Sequence, residues 1–178
     1  MNCPVCKSTT LFRKQIENQL LASECGTCGG RWIASYQYWK WKDQSGGRLP
    51  NPPAPQAGDV PVADTPGAKL CPECGHFLRR YPVGDDLDFS LERCSNCGGM
   101  WFDKNEWEAL KARGLHNNVH NIFSEIWQSR LRDAAHQQAV EQMYRDKFGA
   151  EDYEKIKQIK EWISGHPHEA ELKAFLNL

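Results

Sequence analysis

Several things are scarce in this 178-residue chain, and each scarcity narrows what it does. No run approaches the ~20 consecutive apolar residues that a membrane-spanning helix requires. Neither sign of charge dominates: 22 Lys and Arg stand against 23 Asp and Glu, a formal charge of −1. That balance argues against a strongly basic nucleic-acid binder. No phosphate-cradling glycine loop, H-E-x-x-H helix or recognisable Ser/His/Asp arrangement occurs, so the expectation is a non-enzymatic protein. Met1-Asn2 leads directly into the first cysteine pair, so no removable secretion signal is expected. Cysteine stops at Cys97, and none is left over from the pattern it forms.

That pattern is two matching quartets. Cys3-Pro4-Val5-Cys6 is followed by Cys25-Gly26-Thr27-Cys28, and Cys71-Pro72-Glu73-Cys74 by Cys94-Ser95-Asn96-Cys97. Each reads C-P-x-C, a spacer, then C-x-x-C-G-G-x-W. Paired C-x-x-C turns present four sulfurs to one tetrahedral Zn²⁺ at about 2.3 Å each. Two structural zinc ions are expected, with disulfides and iron–sulfur clusters as the competing readings of the same residues. Thiol ligands point to a reducing, cytoplasmic setting. Four ligands also close each site, whereas a catalytic zinc keeps a position open.

The repeat organises the chain. Cys25 aligns with Cys94 and Trp32 with Trp101, and short alternating apolar stretches between the ligand pairs suit hairpin strands. Trp32 and Trp101 are expected to cover the metal site or the hairpin. The reading is an α+β chain: zinc ribbon 1 with a short helix at 1–47, a Pro-rich linker at 48–69, zinc ribbon 2 with a capped helix at 70–114, and a helical tail at 115–178. The linker holds six of the ten prolines, which predicts an extended tether and independently mobile ribbons. Asp103-Lys104-Asn105-Glu106 has the form of a capping box, with Asp103 as N-cap. Ser35 is the candidate cap of the first, shorter helix.

In the tail, Ile122, Phe123, Ile126, Trp127, Leu131, Val140, Met143 and Tyr144 recur at spacings of three and four. They predict one long helix over about 120–147, a second from Glu151 and a short third from Pro167, with apolar faces packed on one another. His116 with His120, and His166 with His168, are read as solvated or capping histidines, and Asp85, Asp86 and Asp88 as a polar hairpin end.

The string Cys94-Ser95-Asn96-Cys97-Gly98-Gly99-Met100-Trp101-Phe102-Asp103, with Glu106 following, resembles the bacterial transcription-factor-IIB-type zinc-ribbon family. The resemblance implies zinc ligation by Cys71, Cys74, Cys94 and Cys97 in a non-enzymatic module. The first copy resembles a diverged member: it keeps Cys3, Cys6, Cys25, Cys28, Gly29, Gly30 and Trp32, but has Ala34 and Gln37 where the pattern has Asp and Glu.

Partner expectations follow. The favoured function is a macromolecular-interaction adaptor that binds protein through the ribbons and tail. The runner-up is nucleic-acid or transcription-complex binding through the first module. There seven basic residues stand against three acids in residues 1–50, and Arg31, Lys40, Lys42 and Arg48 mix with Trp32, Tyr36, Tyr38, Trp39 and Trp41. A zinc-thiolate redox switch is the third reading, and a homo-oligomer through the tail a further one.

Overall fold

The computed structural model describes residues 1–45, 61–84 and 86–176. The linker stretch 48–60, Gly46-Gly47 and Asp85 of the hairpin end therefore lie outside the described residues. The chain divides into two units, Met1–Ser129 and Arg130–Leu178.

The first unit is built on one antiparallel sheet of six strands: β1 (Phe12–Glu17), β2 (Leu20–Glu24), β3 (Arg31–Ile33), β4 (Leu78–Gly84), β5 (Leu87–Cys94) and β6 (Met100–Phe102). Their spatial order is β1-β2-β3-β6-β5-β4. Each ribbon contributes three strands, and the order reads the same from either end. The two ribbons meet where β3 pairs with β6, with Arg31 opposite Phe102, Trp32 opposite Trp101 and Ile33 opposite Met100. The expectation of independently mobile ribbons is thereby corrected. Each ribbon's third strand is an edge with unpaired backbone groups, and pairing the two edges satisfies both.

Alternation along β3 and β6 sends side chains to two faces. On one, Ile33, Met100 and Phe102 join Leu20, Ala22, Phe89 and Leu91 in the main core. Helices α1 (Ser35–Ser45) and α2 (Glu106–Ala112), a 3₁₀ turn (His116–Asn118) and α3 (Val119–Ile122) cover that face. They deliver Tyr38, Trp41, Trp107, Leu110, Val119 and Ile122 into it. Trp41 meets Trp107 edge to face at 5.9 Å, so the helix of one ribbon packs on that of the other. On the opposite face Trp32 and Trp101 lie among the cysteines with Leu11 and Leu78.

Helix α1, expected to be the shorter of the two ribbon helices, spans 11 residues to the 7 of α2, and Tyr38 and Trp41 anchor it in the core. The Asp103 box is half formed. The Glu106 carboxylate accepts from the Asp103 N–H at 2.7 Å, but the Asp103 side chain turns away to Trp101, and Asn105 occupies the N-cap position in a left-handed conformation. The described end of the linker is not a free tether either. Thr65 N–H donates to Asp103 Oδ2 at 2.6 Å and Asn105 Nδ2 donates to the Pro61 carbonyl at 2.8 Å, tying 61–69 to ribbon 2 as a strap.

The single long tail helix predicted from His120 is interrupted. Helix α3 ends at Ile122, and α4 (Glu125–Phe148) begins after Ser124, whose Oγ accepts from Trp127 N–H at 3.2 Å as a cap. Trp127 Nε1 donates to the Val83 carbonyl and Gln128 Nε2 to that of Pro82, fixing the start of α4 on β4.

In the second unit the remainder of α4 is followed by α5 (Ala150–Ser164) and α6 (Glu169–Phe175). Gly149 makes the turn with φ 81°, and Arg145 bonds Glu154 at 2.6 Å. The expected packing of apolar faces on one another is largely unrealised: Met143, Tyr144, Ile156, Ile159 and Trp162 are all 41–58% exposed. The cause is in the sequence. The α4 stripe is interrupted by small and polar residues, so it cannot fill the space against α5.

Candidate metal centres and the ribbon faces

All eight cysteines are free thiols, gathered as Cys3, Cys6, Cys25, Cys28 and as Cys71, Cys74, Cys94, Cys97. Within each quartet the sulfurs lie within 4.8 Å of one another. Adjacent pairs stand at 3.6 Å (Cys3–Cys28), 3.9 Å (Cys25–Cys6), 3.6 Å (Cys71–Cys97) and 3.5 Å (Cys74–Cys94). Four ligands at about 2.3 Å in a tetrahedron are separated by about 3.8 Å, so each cage fits one zinc ion.

The same turn builds all four ligand pairs. The residue after the second cysteine returns its N–H to the carbonyl of the first, in Lys7, Gly29, Gly75 and Gly98, at 2.8–2.9 Å. All four have φ between 61° and 75°. Lys7 thus accepts a left-handed conformation that costs a side-chain-bearing residue of order 1 kcal/mol. The turn aims N–H groups at sulfur, as in Cys6 N–H to Cys3 Sγ at 3.3 Å. Such donors favour thiolate. Cys74 is lowered to about 6, first by the His76 backbone N–H. Cys25 settles at about 7, because burial raises it while the N–H groups of Cys28 and Thr27 lower it further.

The tryptophans do more than cover a metal. The Trp101 ring lies on Gly30, where an added Cβ would sit 2.2 Å from Cζ2, and the Trp32 ring lies on Gly99 with a corresponding 2.1 Å. Each ribbon's tryptophan therefore occupies the space left by the other ribbon's second glycine. This exchange puts both cysteine cages in one packed cluster. Arg31 adds a polar link, bonding Glu24 at 2.7 Å in its own ribbon and Glu108 at 2.5 Å in the other.

Ribbon 2 carries a second polar cluster that sequence reasoning missed. Asp64, Glu92 and Asp103 bring carboxylate oxygens together. Lys69 Nζ lies among them, 2.5 Å from Glu92 and 3.3 Å from Asp103, and Arg80 holds Asp64 at 2.6 Å. An ammonium and a guanidinium thus supply the charge a cation would bring. Burial pushes Glu92 up to about 7 against the pull of Lys69. Glu106, fully buried beside them, is pushed to about 9 by burial, with Asp103, Glu92 and Asp64 adding repulsion and the Asp103 N–H opposing it.

The aromatic and basic residues of the first module do not form one surface. Trp32, Tyr38 and Trp41 are core residues and Arg31 is ion-paired, whereas Tyr36 and Trp39 remain exposed. Of the histidines read as solvated or capping, His168 is exposed at the N-cap position of α6, whereas His116 and His120 pack against the core aromatics. His116 is buried against Trp41 and Trp107, and His120 Nδ1 meets Tyr38 Oη at 2.9 Å. Among the described residues neither joins a metal cluster. His166 packs on Trp162, and its Nδ1 accepts from His168 N–H.

Residues 70–113 match the family model described as transcription factor zinc-finger, which covers ribbon 2 and its helix. The second four-cysteine cluster, at residues 3–28, lies outside that match. No curated protein and no solved structure gives a significant match to the chain. Among the described residues no helix is long and apolar enough to cross a membrane.

Proposed function

We propose that the chain is a non-enzymatic adaptor that binds other proteins. In this reading Cys3, Cys6, Cys25 and Cys28 ligate one structural zinc ion, and Cys71, Cys74, Cys94 and Cys97 the other. The fused ribbons form a rigid platform and the second unit offers an apolar binding face. The observation that carries the reading is the groove between α4 and α5, about 680 Å³, walled by Val140, Tyr144, Phe148, Tyr153 and Ile156. Exposed contiguous apolar surface of this kind marks interaction sites, and a groove between helices suits an amphipathic helix. A cytoplasmic setting, where thiols stay reduced, agrees with the ligand chemistry.

Tyr144→Glu and Ile156→Glu are expected to keep both zinc ions and full helicity while losing the proteins that co-purify with the parent chain. Unchanged co-purification would contradict the adaptor reading. Light scattering separates the case in which the groove takes a second copy, through a mass that rises with concentration. Nucleic-acid binding is the competing function, supported by exposed Tyr36 and Trp39 beside Lys40. Titration with single-stranded and duplex DNA at two salt concentrations distinguishes it, since phosphate contacts give a steep loss of affinity with salt.

A further inference from the structure

The two ribbons share their ligand motifs, strand order and exchanged tryptophans, yet the same face is covered on one and open on the other. Met1 corresponds to Lys69, because their carbonyls accept equivalent bonds from Leu11 and Leu78 at 2.9 Å. Arg13 corresponds to Arg80 by strand register, lying opposite Ser23 where Arg80 lies opposite Glu92. Trp32 corresponds to Trp101, Ala34 to Asp103 and Gln37 to Glu106.

On ribbon 2 the strap 61–69 fills this face. Asp64 pairs with Arg80, Ala63 N–H donates to the Lys104 carbonyl at 3.1 Å, and Thr65 N–H donates to Asp103. Trp101 Nε1 is satisfied by Asp103 Oδ1 at 2.7 Å. On ribbon 1 the equivalent place is a cleft of about 70 Å³, lined by Arg13, Leu21, Ser23, Trp32, Ala34 and Gln37, with Glu73 at its edge from ribbon 2. Trp32 is 1% exposed, and its Nε1 has no hydrogen-bond partner, because Ala34 replaces the aspartate. A buried unpaired N–H is costly and calls for an acceptor. Ser23, Ala34 and Gln37 replace three acids, and Arg13 has no ion-pair partner among the described residues. An acceptor-lined face in ribbon 2 has become a donor-lined one in ribbon 1.

We infer that this cleft docks an acidic side chain carried on an extended segment of a partner protein. The carboxylate accepts from Trp32 Nε1 in the position Asp103 takes in ribbon 2, and it pairs with Arg13 as Asp64 of the strap pairs with Arg80. The space suits a side chain the size of aspartate, and the strap shows how extended backbone crosses such a face. The inference concerns a different unit from the α4–α5 groove and stands or falls apart from it.

The test uses the zinc-loaded full chain and the acetylated, amidated peptide Pro-Val-Ala-Asp-Asp-Pro-Gly, which is the strap sequence 61–67 with Thr65→Asp. Calorimetry should show binding, and the Trp32 indole N–H resonance should move downfield. Arg13→Gln should weaken binding about tenfold. Ala34→Asp should abolish it by satisfying Trp32 internally, and Glu73→Gln should strengthen it by removing the opposing charge. Arg13 is exposed, so its variant retains the fold and keeps the test decisive even if Ala34→Asp folds poorly. The inference is overturned by no binding at millimolar peptide, by equal binding of the peptide with both Asp changed to Asn, or by indifference to Arg13→Gln. A single-stranded oligonucleotide that moves the same resonance more strongly also overturns it, making nucleic acid the occupant.

Discussion

Two glycines decide how the ribbons meet. An added methyl at Gly99 would sit 2.1 Å from the Trp32 ring, a contact that only displacement of the ring can relieve. Gly99→Ala is expected to cost about 1–3 kcal/mol, in the range of overpacked cores. Gly26→Ala is the control, since its Cβ meets only Phe12 at an ordinary 3.5 Å, and it should stay within about 0.5 kcal/mol of the parent. Urea unfolding followed by tryptophan fluorescence measures both, and equal midpoints would contradict the exchange of rings. Glu106 is the second decisive residue. Burial pushes its pKa in the folded chain up to about 9, well above the ordinary carboxylate value of about 4.5, so the folded state holds the proton more tightly than the unfolded chain. The stability this contributes is complete below about pH 4.5 and is lost as pH rises towards 9. Glu106→Gln removes that dependence. The stability of the parent minus that of the variant should therefore fall by a few kcal/mol, in order of magnitude, between pH 5 and 9. A flat difference would contradict the assignment. Ribbon 1 already carries the neutral form at the corresponding Gln37.

At the scale of elements, Ser124 separates α3 from α4 by capping the second of them. Ser124→Ala should lower stability by about 1 kcal/mol, read from the thermal transition by circular dichroism, and no change would mean the cap contributes nothing. This break shows what sequence spacing conceals. Ile122, Phe123, Ile126 and Trp127 keep helical periodicity across it, because both segments present apolar residues, so periodicity alone cannot see the interruption. The cysteine cages, by contrast, were legible, because each ligand pair is a local turn with its own proline or glycine signal. Strands β3 and β6 were not. Each has three residues beside a glycine pair, and their partner lies about seventy positions away, a distance no local pattern reports. Composition places Lys69 in the linker; only its correspondence with Met1 ahead of the ligand pairs hints that it belongs to the ribbon. The carboxylates it neutralises come from separate elements, so their convergence emerges only with the fold.

At the scale of the whole molecule, fusing two small ribbons changes their energetics. A domain of some forty residues buries too little surface to be stable without a metal or similar support. Here each ribbon's edge strand, tryptophan and helix rest on the other, with Trp41 on Trp107 behind the sheet and Trp32 and Trp101 in front. Loss of metal from one cage should therefore loosen the packing around the second cage. Among the described residues, the members of that cluster all come from the first unit. Cys97→Ser should accordingly weaken zinc retention at both quartets while leaving the helicity of 130–176 intact. Helicity lost in parallel with zinc would contradict this division.

The most direct measurement of this coupling is native mass spectrometry of the full chain under increasing chelator. The untreated protein is expected to carry two zinc ions, and rising chelator to convert it to the metal-free chain with little of the one-zinc form at any point. A starting stoichiometry far from two, or a one-zinc species that accumulates and persists with a compact charge distribution, would contradict it.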